Sequence, residues 1–283
     1  MAVAIEIVAV GNELLLGDVQ DTNSNWLCRR FTALGGRVRR VTMVGDEVDT
    51  ISEVVRAALD RGAQLVVTTG GLGPTDDDLT LRAVARALDR PLREHPTARA
   101  WVAATYAELA RRGHVASAEV TPSRAKMAQL PAGAEPLANG VGAAPGALLR
   151  RDDGSIVVSL PGVPDELMDI VRGALRPYLT ALFGQGAYEE WRARVDSGDE
   201  SVLAPILSEV ASRHPDVYIK SRAKRFGLGV TFMVSLSARG EDPAQARARL
   251  QAAWRALEQA LDRAGIAARL EEGSVGGEDR CAP

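Results

Sequence analysis

Three short apolar segments, each followed by a loop with glycine and acidic residues and then by an amphipathic helix, constrain the fold of this chain most strongly. They lie at residues 5–10, 38–44 and 65–69. Parallel neighbouring strands need a crossover of about a dozen residues or more, which is usually helical. Three successive units therefore predict a three-layer α/β/α fold in which a mostly parallel sheet carries helices on both faces.

The remainder of the chain predicts an extension of this sheet and then a second, smaller domain. Residues 147–149 and 156–160 flank Asp153-Gly154, a pair typical of a two-residue hairpin turn. Between residues 191 and 270 the pattern gives the order β-α-β-β-α-β, which indicates a ferredoxin-like or KH-like α+β domain. We predict a first domain over residues 1–184, the α+β domain over 185–272, and a disordered tail over 273–283.

Composition narrows the classes of function. The 283 residues carry 34 Lys and Arg against 37 Asp and Glu, so the formal net charge of −3 does not favour nucleic acid as a partner. Cys28 and Cys281 are too few for a disulfide framework or a thiolate zinc site. No stretch approaches the about 18 continuous apolar residues of a membrane span. We expect a cytoplasmic protein without a membrane partner, in which oxygen ligands hold any metal.

The loops that follow the three strands carry the residues that indicate chemistry. In an open parallel sheet, ligands bind outside the carboxyl ends of the strands. Glycines there let the backbone approach a ligand, and N–H groups at a helix N-terminus attract phosphate. Carboxylates at the same edge favour a hard cation between them and the phosphate. The residues are Gly11, Asn12, Glu13, Gly17, Asp21 and Asn23 in the first loop, Gly45 and Asp46 in the second, and Gly70, Gly71, Gly73, Thr75, Asp76, Asp77 and Asp78 in the third.

The same residues also have purely structural interpretations. Asp21 and Asp78 are compatible with helix capping, as is Asp49 after the second loop, and the glycines and aspartates between residues 70 and 77 are compatible with a tight, solvated turn. The first loop lacks the Lys-Ser/Thr ending of a P-loop, and the third lacks the glycine spacing of the dinucleotide fingerprint. Spacing alone leaves both interpretations open.

Several short motifs in one order resemble a known family. They are VGNELLLGDVQDTNSNWLCRR, VGDEVDTI, TTGGLGPTDDDLT, KMAQLP, GVGAAPG and SLPGVPDEL. Together they resemble the competence/damage-inducible CinA family, whose first domain has the MoaB/Mog-type molybdopterin-binding fold. The match runs from about residue 3 to about residue 180, and the later module resembles the KH-like domain of that family. The chain ends before a C-terminal nicotinamide mononucleotide deamidase domain, so we do not expect that activity.

The resemblance implies a metal-dependent pyrophosphatase that converts ADP-ribose to AMP and ribose 5-phosphate. The implied cofactor is Mg²⁺, Mn²⁺ or Co²⁺, together with K⁺ as a further candidate. Asp46 and Asp78 are the implied catalytic residues, through metal binding or water activation, and Glu13 and Asn23 are further metal ligands. The residues expected to bind phosphate or nucleotide are Gly11, Asn12, Gly70, Gly71, Gly73, Thr75, Lys126, Gly146 and Gly162.

Two alternative functions stay open, as does the identity of the ligand among ADP-ribose, FAD and molybdopterin. The first alternative is a molybdopterin-binding or molybdopterin adenylyltransferase-like protein. The second is a non-catalytic binding module, which is supported by a basic hairpin with Lys220, Arg222, Lys224 and Arg225. The absence of a GXXG clamp there argues against nucleic acid as a partner. We expect a homodimer or a higher homo-oligomer.

Overall fold

The computed structural model describes residues 2–184, 186–223 and 231–271. The chain divides into two compact units, the first comprising Met1–Thr32 and Gly36–Phe183 and the second comprising Ala33–Gly35 and Gly184–Pro283. The predicted tail at 273–283 lies outside the described residues, as do Lys224 and Arg225 of the basic hairpin. Across the described ranges, no helix combines the length and apolar character needed to span a membrane.

The first unit alternates strands and helices in the predicted manner. Its elements are β1 (Ala4–Val10), α1 (Asn12–Leu16), α2 (Thr22–Ala33), β2 (Arg37–Val44), α3 (Val48–Asp60), β3 (Leu65–Thr69), α4 (Thr80–Ala87), β4 (Leu92–Glu94), α5 (Pro96–Arg111), α6 (Pro122–Lys126), β5 (Gln129–Pro131), β6 (Glu135–Leu137), β7 (Gly146–Arg150), β8 (Ile156–Leu160), α7 (Pro164–Arg172) and α8 (Arg176–Phe183).

The main sheet has the strand order β2-β1-β3-β8-β7-β6, while β4 and β5 form a separate two-stranded sheet. The strands β2, β1, β3 and β8 run parallel, and β7 and β6 add antiparallel pairs at one side. The predicted mostly parallel α/β sheet is therefore confirmed. Because β2 and β3 lie on opposite sides of β1, the strand order reverses beside the carboxyl ends of β1 and β3. This is the position at which open α/β sheets bind ligands.

The strand β1 explains why the sheet is covered on both faces. All seven of its residues are buried, as expected for a parallel strand between two helical layers. Val8 and Val10 pack with Ile51 and Val55 of α3. Side chains alternate along a strand, so Ile5 and Ile7 point to the opposite face. The three-layer arrangement follows from this alternation.

Glu6 is the charged exception within β1. Its side chain is 5% exposed and pairs with the 37% exposed side chain of Arg61, with Nη2 to Oε2 at 2.6 Å and Nε to Oε1 at 3.0 Å. Two parallel N–H···O bonds hold the carboxylate in the geometry that arginine favours. The core therefore tolerates Glu6 only while Arg61 is present.

We expect Arg61→Met to lower the free energy of unfolding by about 2 kcal/mol, because it leaves a buried carboxylate without its cation. This loss is smaller than the about 3–5 kcal/mol that follows when one partner of a fully buried ion pair is removed, because solvent reaches Arg61. Urea unfolding measures the change. The double variant Glu6→Met/Arg61→Met should be more stable than Arg61→Met alone. A double variant that is equally unstable would show that packing, and not the unpaired charge, sets the loss.

The second unit has the predicted β-α-β-β-α-β order. Its elements are β9 (Ala187–Val195), α9 (Glu200–Arg213), β10 (Val217–Ala223), β11 (Phe232–Gly240), α10 (Pro243–Arg263) and β12 (Ala268–Leu270). Neighbouring strands are antiparallel in the order β10-β11-β9-β12. Each β-α-β connection therefore has another strand between its own two strands, as in a ferredoxin-like split unit. The KH-like designation stays a prediction.

Two local predictions for the first unit are wrong. Asp49 does not cap α3, because that helix begins at Val48 after Glu47, and Asp49 forms an ion pair with Arg86 instead. The hairpin between β7 and β8 is longer than two residues, since the Arg151 N–H bonds to the Ser155 carbonyl at 2.9 Å and encloses three residues. Asp153 accepts bonds from Ser155, and these favour the wider loop.

Candidate functional site

The loops after β1 and β2 are joined by a reciprocal pair of hydrogen bonds. The Asn12 N–H donates to Asp46 Oδ2 at 2.8 Å, and the Asp46 N–H donates to Asn12 Oδ1 at 3.3 Å. The Gly11 N–H also donates to the Val44 carbonyl at 3.0 Å. The carboxylate of Glu13 folds back against Gly11, so that a Cβ on residue 11 would lie 2.4 Å from Glu13 Oε1. These contacts place Asp46 and Glu13 at the same edge of the sheet.

The loop after β3 starts with two glycines in left-handed conformations. Gly70 has φ +95°, and a Cβ there would lie 2.2 Å from the Val10 carbonyl oxygen. Gly71 has φ +66°, and its Cβ would lie 2.3 Å from Thr80 Oγ1. Thr80 Oγ1 itself donates to the Gly70 carbonyl at 2.8 Å. The tight-turn interpretation is confirmed at these two glycines, and their role in phosphate binding stays a prediction.

Asp78 closes the same loop and is not a helix cap. The helix α4 begins at Thr80 after Leu79. Asp78 Oδ2 instead accepts from the Thr75 backbone N–H at 2.8 Å and from Thr75 Oγ1 at 2.6 Å. The capping interpretation is therefore wrong for Asp78. It is confirmed for Asp21, which accepts from the Ser24 N–H at 2.9 Å at the start of α2.

A cavity of about 300 Å³ lies beside this loop. Lys126, at the end of α6, donates from Nζ to the Thr75 carbonyl and is half-buried. The cavity thus brings a lysine, an arginine and two aspartates against a glycine-rich backbone. It is lined by Gly71, Leu72, Gly73, Asp76, Asp78, Leu79, Leu81, Arg82, Leu92, Lys126 and Gln129.

The carboxylates of the three loops influence one another. Burial raises the pKa of Asp46, and repulsion from Glu13, Asp77 and Asp78 raises it further, while the Asn12 N–H acts in the opposite direction. The hydrogen bond from Thr75 lowers the pKa of the exposed Asp77. A proton or a cation at this edge would relieve the repulsion on Asp46.

Within the described residues, no group of three or more His, Cys, Asp or Glu side chains is arranged to hold a metal ion. The predicted ligand Asn23 donates from Nδ2 to the Gly162 carbonyl at 2.7 Å. Mg²⁺ usually binds through one or two carboxylates together with waters and substrate phosphates. Asp46 and Asp78 fit that mode of binding, whereas a cage built from protein ligands alone does not fit.

The other predicted site residues do not line the cavity, and they are Gly11, Asn12, Glu13, Asn23, Asp46, Gly70, Thr75, Gly146 and Gly162. Gly162 contacts the glycine loop from β8, since a Cβ there would lie 3.4 Å from Gly70 Cα. Gly146 is buried at the start of β7, where it pairs with Leu137. Gly146 therefore supports the sheet, and its role in phosphate binding stays a prediction.

A second polar cluster joins the loop before β7 to α7. The half-buried Glu166 accepts from Asn139 Nδ2 at 2.6 Å. Asn139 Oδ1 accepts from the N–H groups of Val141 and Gly142 at 3.0 and 2.8 Å. The sequence around Glu166 carries no local signal for this contact, because Asn139 lies 27 residues earlier in the chain.

We expect Glu166→Gln to stabilise the protein near neutral pH. Burial raises the pKa of Glu166 above the ordinary 4.5, against the opposing hydrogen bond from Asn139. Between the ordinary pKa and the raised pKa of the folded state, the folded protein therefore binds more protons than the unfolded protein. The free energy of unfolding consequently falls as the pH rises through this interval. Gln lacks this penalty and still accepts the bond from Asn139.

Urea unfolding as a function of pH measures this effect. At neutral pH the free energy of unfolding of the variant should exceed that of the native protein. The difference should shrink below about pH 4, where Glu166 is protonated in both the folded and the unfolded state. Asp165→Asn removes an exposed carboxylate from the same helical turn and serves as the matched control. A gap of constant size from acid to neutral pH would contradict the assignment to Glu166.

Comparisons with known proteins agree on the first unit. A family model described as "Probable molybdopterin binding domain" matches residues 6–181. A protein from Aeropyrum pernix is 43% identical over 276 residues, which is 97% of this chain and 97% of that protein. A protein from Pyrococcus abyssi is 41% identical over 78% of this chain and 86% of its own length. The crystal structure of the protein CinA with unknown function from Thermoplasma acidophilum is 35% identical, with a TM-score of 0.57 over 63% of this chain and 98% of its own.

Proposed function

Because the chain belongs to the family of probable molybdopterin binding domains, we propose that its first unit binds the phosphate of a pterin or nucleotide in the loop after β3. The observation that carries this proposal is the cavity in which Lys126 and the backbone of Gly71 and Gly73 come together. The likeness to a solved CinA protein, whose function is unknown, supports the fold of this unit.

The chemistry of the cavity suits a phosphate monoester or diphosphate. Lys126 supplies a point charge, and the glycines let backbone N–H groups approach an oxyanion closely. The cavity lies beside the carboxyl end of β3, where α/β sheets of this kind bind ligands. A volume of about 300 Å³ is at the lower end of the about 300–1,000 Å³ typical of small-molecule sites. This volume suits a phosphate and the group attached to it.

Molybdopterin is the first candidate ligand, because the family description names it. The protein would then bind molybdopterin or transfer an adenylyl group to it. ADP-ribose is the second candidate, and Asp46 is the candidate base for its hydrolysis. A carboxylate whose pKa is raised by burial and by neighbouring carboxylates is a stronger base than an ordinary aspartate.

For hydrolysis, the residues of the chain supply a base and an anchor. Lys126 and the glycine backbone hold one phosphate, and Asp46 takes the proton of the attacking water. The water oxygen forms a bond to phosphorus while the anhydride P–O bond breaks, so AMP and ribose 5-phosphate leave. Asp78 orders the loop through Thr75. A divalent ion held by Asp78 would neutralise the diphosphate and polarise its oxygens, while Asp46 stays available to accept the proton.

Product identification separates these candidates. The protein is incubated with ADP-ribose, FAD or molybdopterin plus ATP, each with Mg²⁺, Mn²⁺ or Co²⁺, and the products are resolved by chromatography. AMP together with ribose 5-phosphate identifies a pyrophosphatase. Pyrophosphate with adenylated molybdopterin identifies an adenylyltransferase. If none of the three compounds binds or reacts, the proposed function is wrong.

We also propose that the first unit forms a homo-oligomer. Leu15, Leu16 and Val19 are 57%, 76% and 51% exposed around the end of α1, so they do not pack at the base of their own loop. Apolar side chains grouped in this way are typical of contacts between protein molecules. Sedimentation equilibrium distinguishes an oligomer from a monomer.

The cytoplasmic location stays a prediction.

A further inference from the structure

Arg82 lies between two cavities of the first unit. It lines the cavity beside the glycine loop and also a neighbouring cavity of about 490 Å³ between the N-terminus of α3 and the exposed face of α4. The other residues that line the second cavity are Glu47, Val48, Asp49 and Arg86. A ligand that occupies both cavities would therefore have to pass Arg82.

The charges around Arg82 show which groups are already engaged. Arg86 pairs with Asp49 across the second cavity. Glu47 Oε2 accepts from the Thr50 hydroxyl at 2.9 Å. Arg82 is exposed, and within residues 2–184 no hydrogen bond or ion pair engages its guanidinium. Its charge is available to a ligand, and a guanidinium prefers the oxygens of phosphate or carboxylate.

We propose that Arg82 binds the second phosphate of a diphosphate-linked ligand whose first phosphate lies in the glycine loop. This inference rests on the proposed function and specifies it further, because it assigns the site to compounds with two linked phosphates. The rest of the ligand extends into the cavity between α3 and α4. There Glu47 provides an acceptor for the hydroxyls of a ribose or similar polyol, as acidic residues do in other nucleotide sites.

The proposal holds for both candidate functions. ADP-ribose contains a diphosphate, and so does a pterin phosphate joined to an adenylyl group. In each case one phosphate meets Lys126 and the other meets Arg82. The protein should therefore prefer compounds with two linked phosphates over those with one, and this preference should depend on Arg82.

Titration calorimetry with paired ligands tests this role. ADP-ribose is compared with AMP, and inorganic pyrophosphate with inorganic phosphate, each at fixed Mg²⁺. Arg82→Gln should bind ADP-ribose and pyrophosphate about 10- to 100-fold more weakly, as expected for the loss of a charge-assisted contact. It should bind AMP and phosphate with less than about threefold change, because a single phosphate occupies the glycine loop.

Two further variants make the result specific to this side chain. Arg90→Gln removes the same charge beyond the C-terminus of α4 and should leave all four affinities unchanged. Arg82→Lys should restore part of the preference for two phosphates, since it keeps a charge but not the planar fork. Thermal unfolding of each variant shows whether the fold is retained.

The proposal is wrong if Arg82→Gln weakens the one-phosphate and two-phosphate ligands equally or weakens neither. If the native protein binds pyrophosphate but no pterin or nucleotide, the proposed function fails while the comparison of pyrophosphate with phosphate still measures the role of Arg82. If the native protein binds neither anion, both proposals are wrong.

Discussion

Asp78→Asn is expected to lower the turnover of the diphosphate substrate by about 100-fold or more, while the protein stays folded. The loss follows from removing a negative charge that holds a metal ion beside the transition state, and single polar groups in such positions contribute about 100- to 1,000-fold. Stability should change by less than about 1 kcal/mol, because Asn Oδ1 can still accept the Thr75 N–H bond.

Steady-state kinetics on the substrate found by product analysis, together with urea unfolding, measures both effects. Asp152→Asn makes the same chemical change in the exposed loop between β7 and β8 and is the matched control. Near-native turnover by folded Asp78→Asn at saturating Mg²⁺ would remove Asp78 from the mechanism. A large loss of stability would show that the aspartate mainly holds the loop.

Gly70→Ala is expected to lower the free energy of unfolding by about 3 kcal/mol. An alanine would have to adopt φ +95°, and its Cβ would lie 2.2 Å from the Val10 carbonyl oxygen. The left-handed conformation costs about 1 kcal/mol, and relief of the overlap with main-chain atoms of β1 costs about 1–3 kcal/mol more. Urea unfolding gives the value.

Gly154→Ala isolates the first contribution, the cost of the left-handed conformation. Gly154 has φ +83°, but a Cβ there meets nothing within 4 Å. This control should therefore lose only the about 1 kcal/mol that the backbone conformation costs. Equal losses in the two variants would contradict the close packing of Gly70 against β1.

The strands and the edge of the sheet that carries the site could be predicted from sequence because both depend on local patterns. The predicted third strand at 65–69 has the same bounds as β3, since a short apolar run between turn residues defines it. The carboxyl ends of parallel strands meet at one edge, so the sequence alone places the loops with Asp46 and Asp78 together.

The errors arise where distant residues decide a local outcome. Asp78 has the residue type of a helix cap, but Thr80 bonds to the Gly70 carbonyl and α4 starts at Thr80. Asp49 likewise precedes a helical pattern, but Arg86 of α4 competes for its carboxylate. Arg82 has no sequence signal at all, because its position between two cavities depends on how α3 and α4 pack.

A crystal structure of the full chain with bound ADP-ribose and Mg²⁺ tests the central claim most directly, namely that the loop after β3 anchors a phosphate. We predict one phosphate against the backbone of Gly71 and Gly73, within reach of Lys126, and the second beside Arg82. A diphosphate bound at any other place, with this loop free of ligand, would contradict the account.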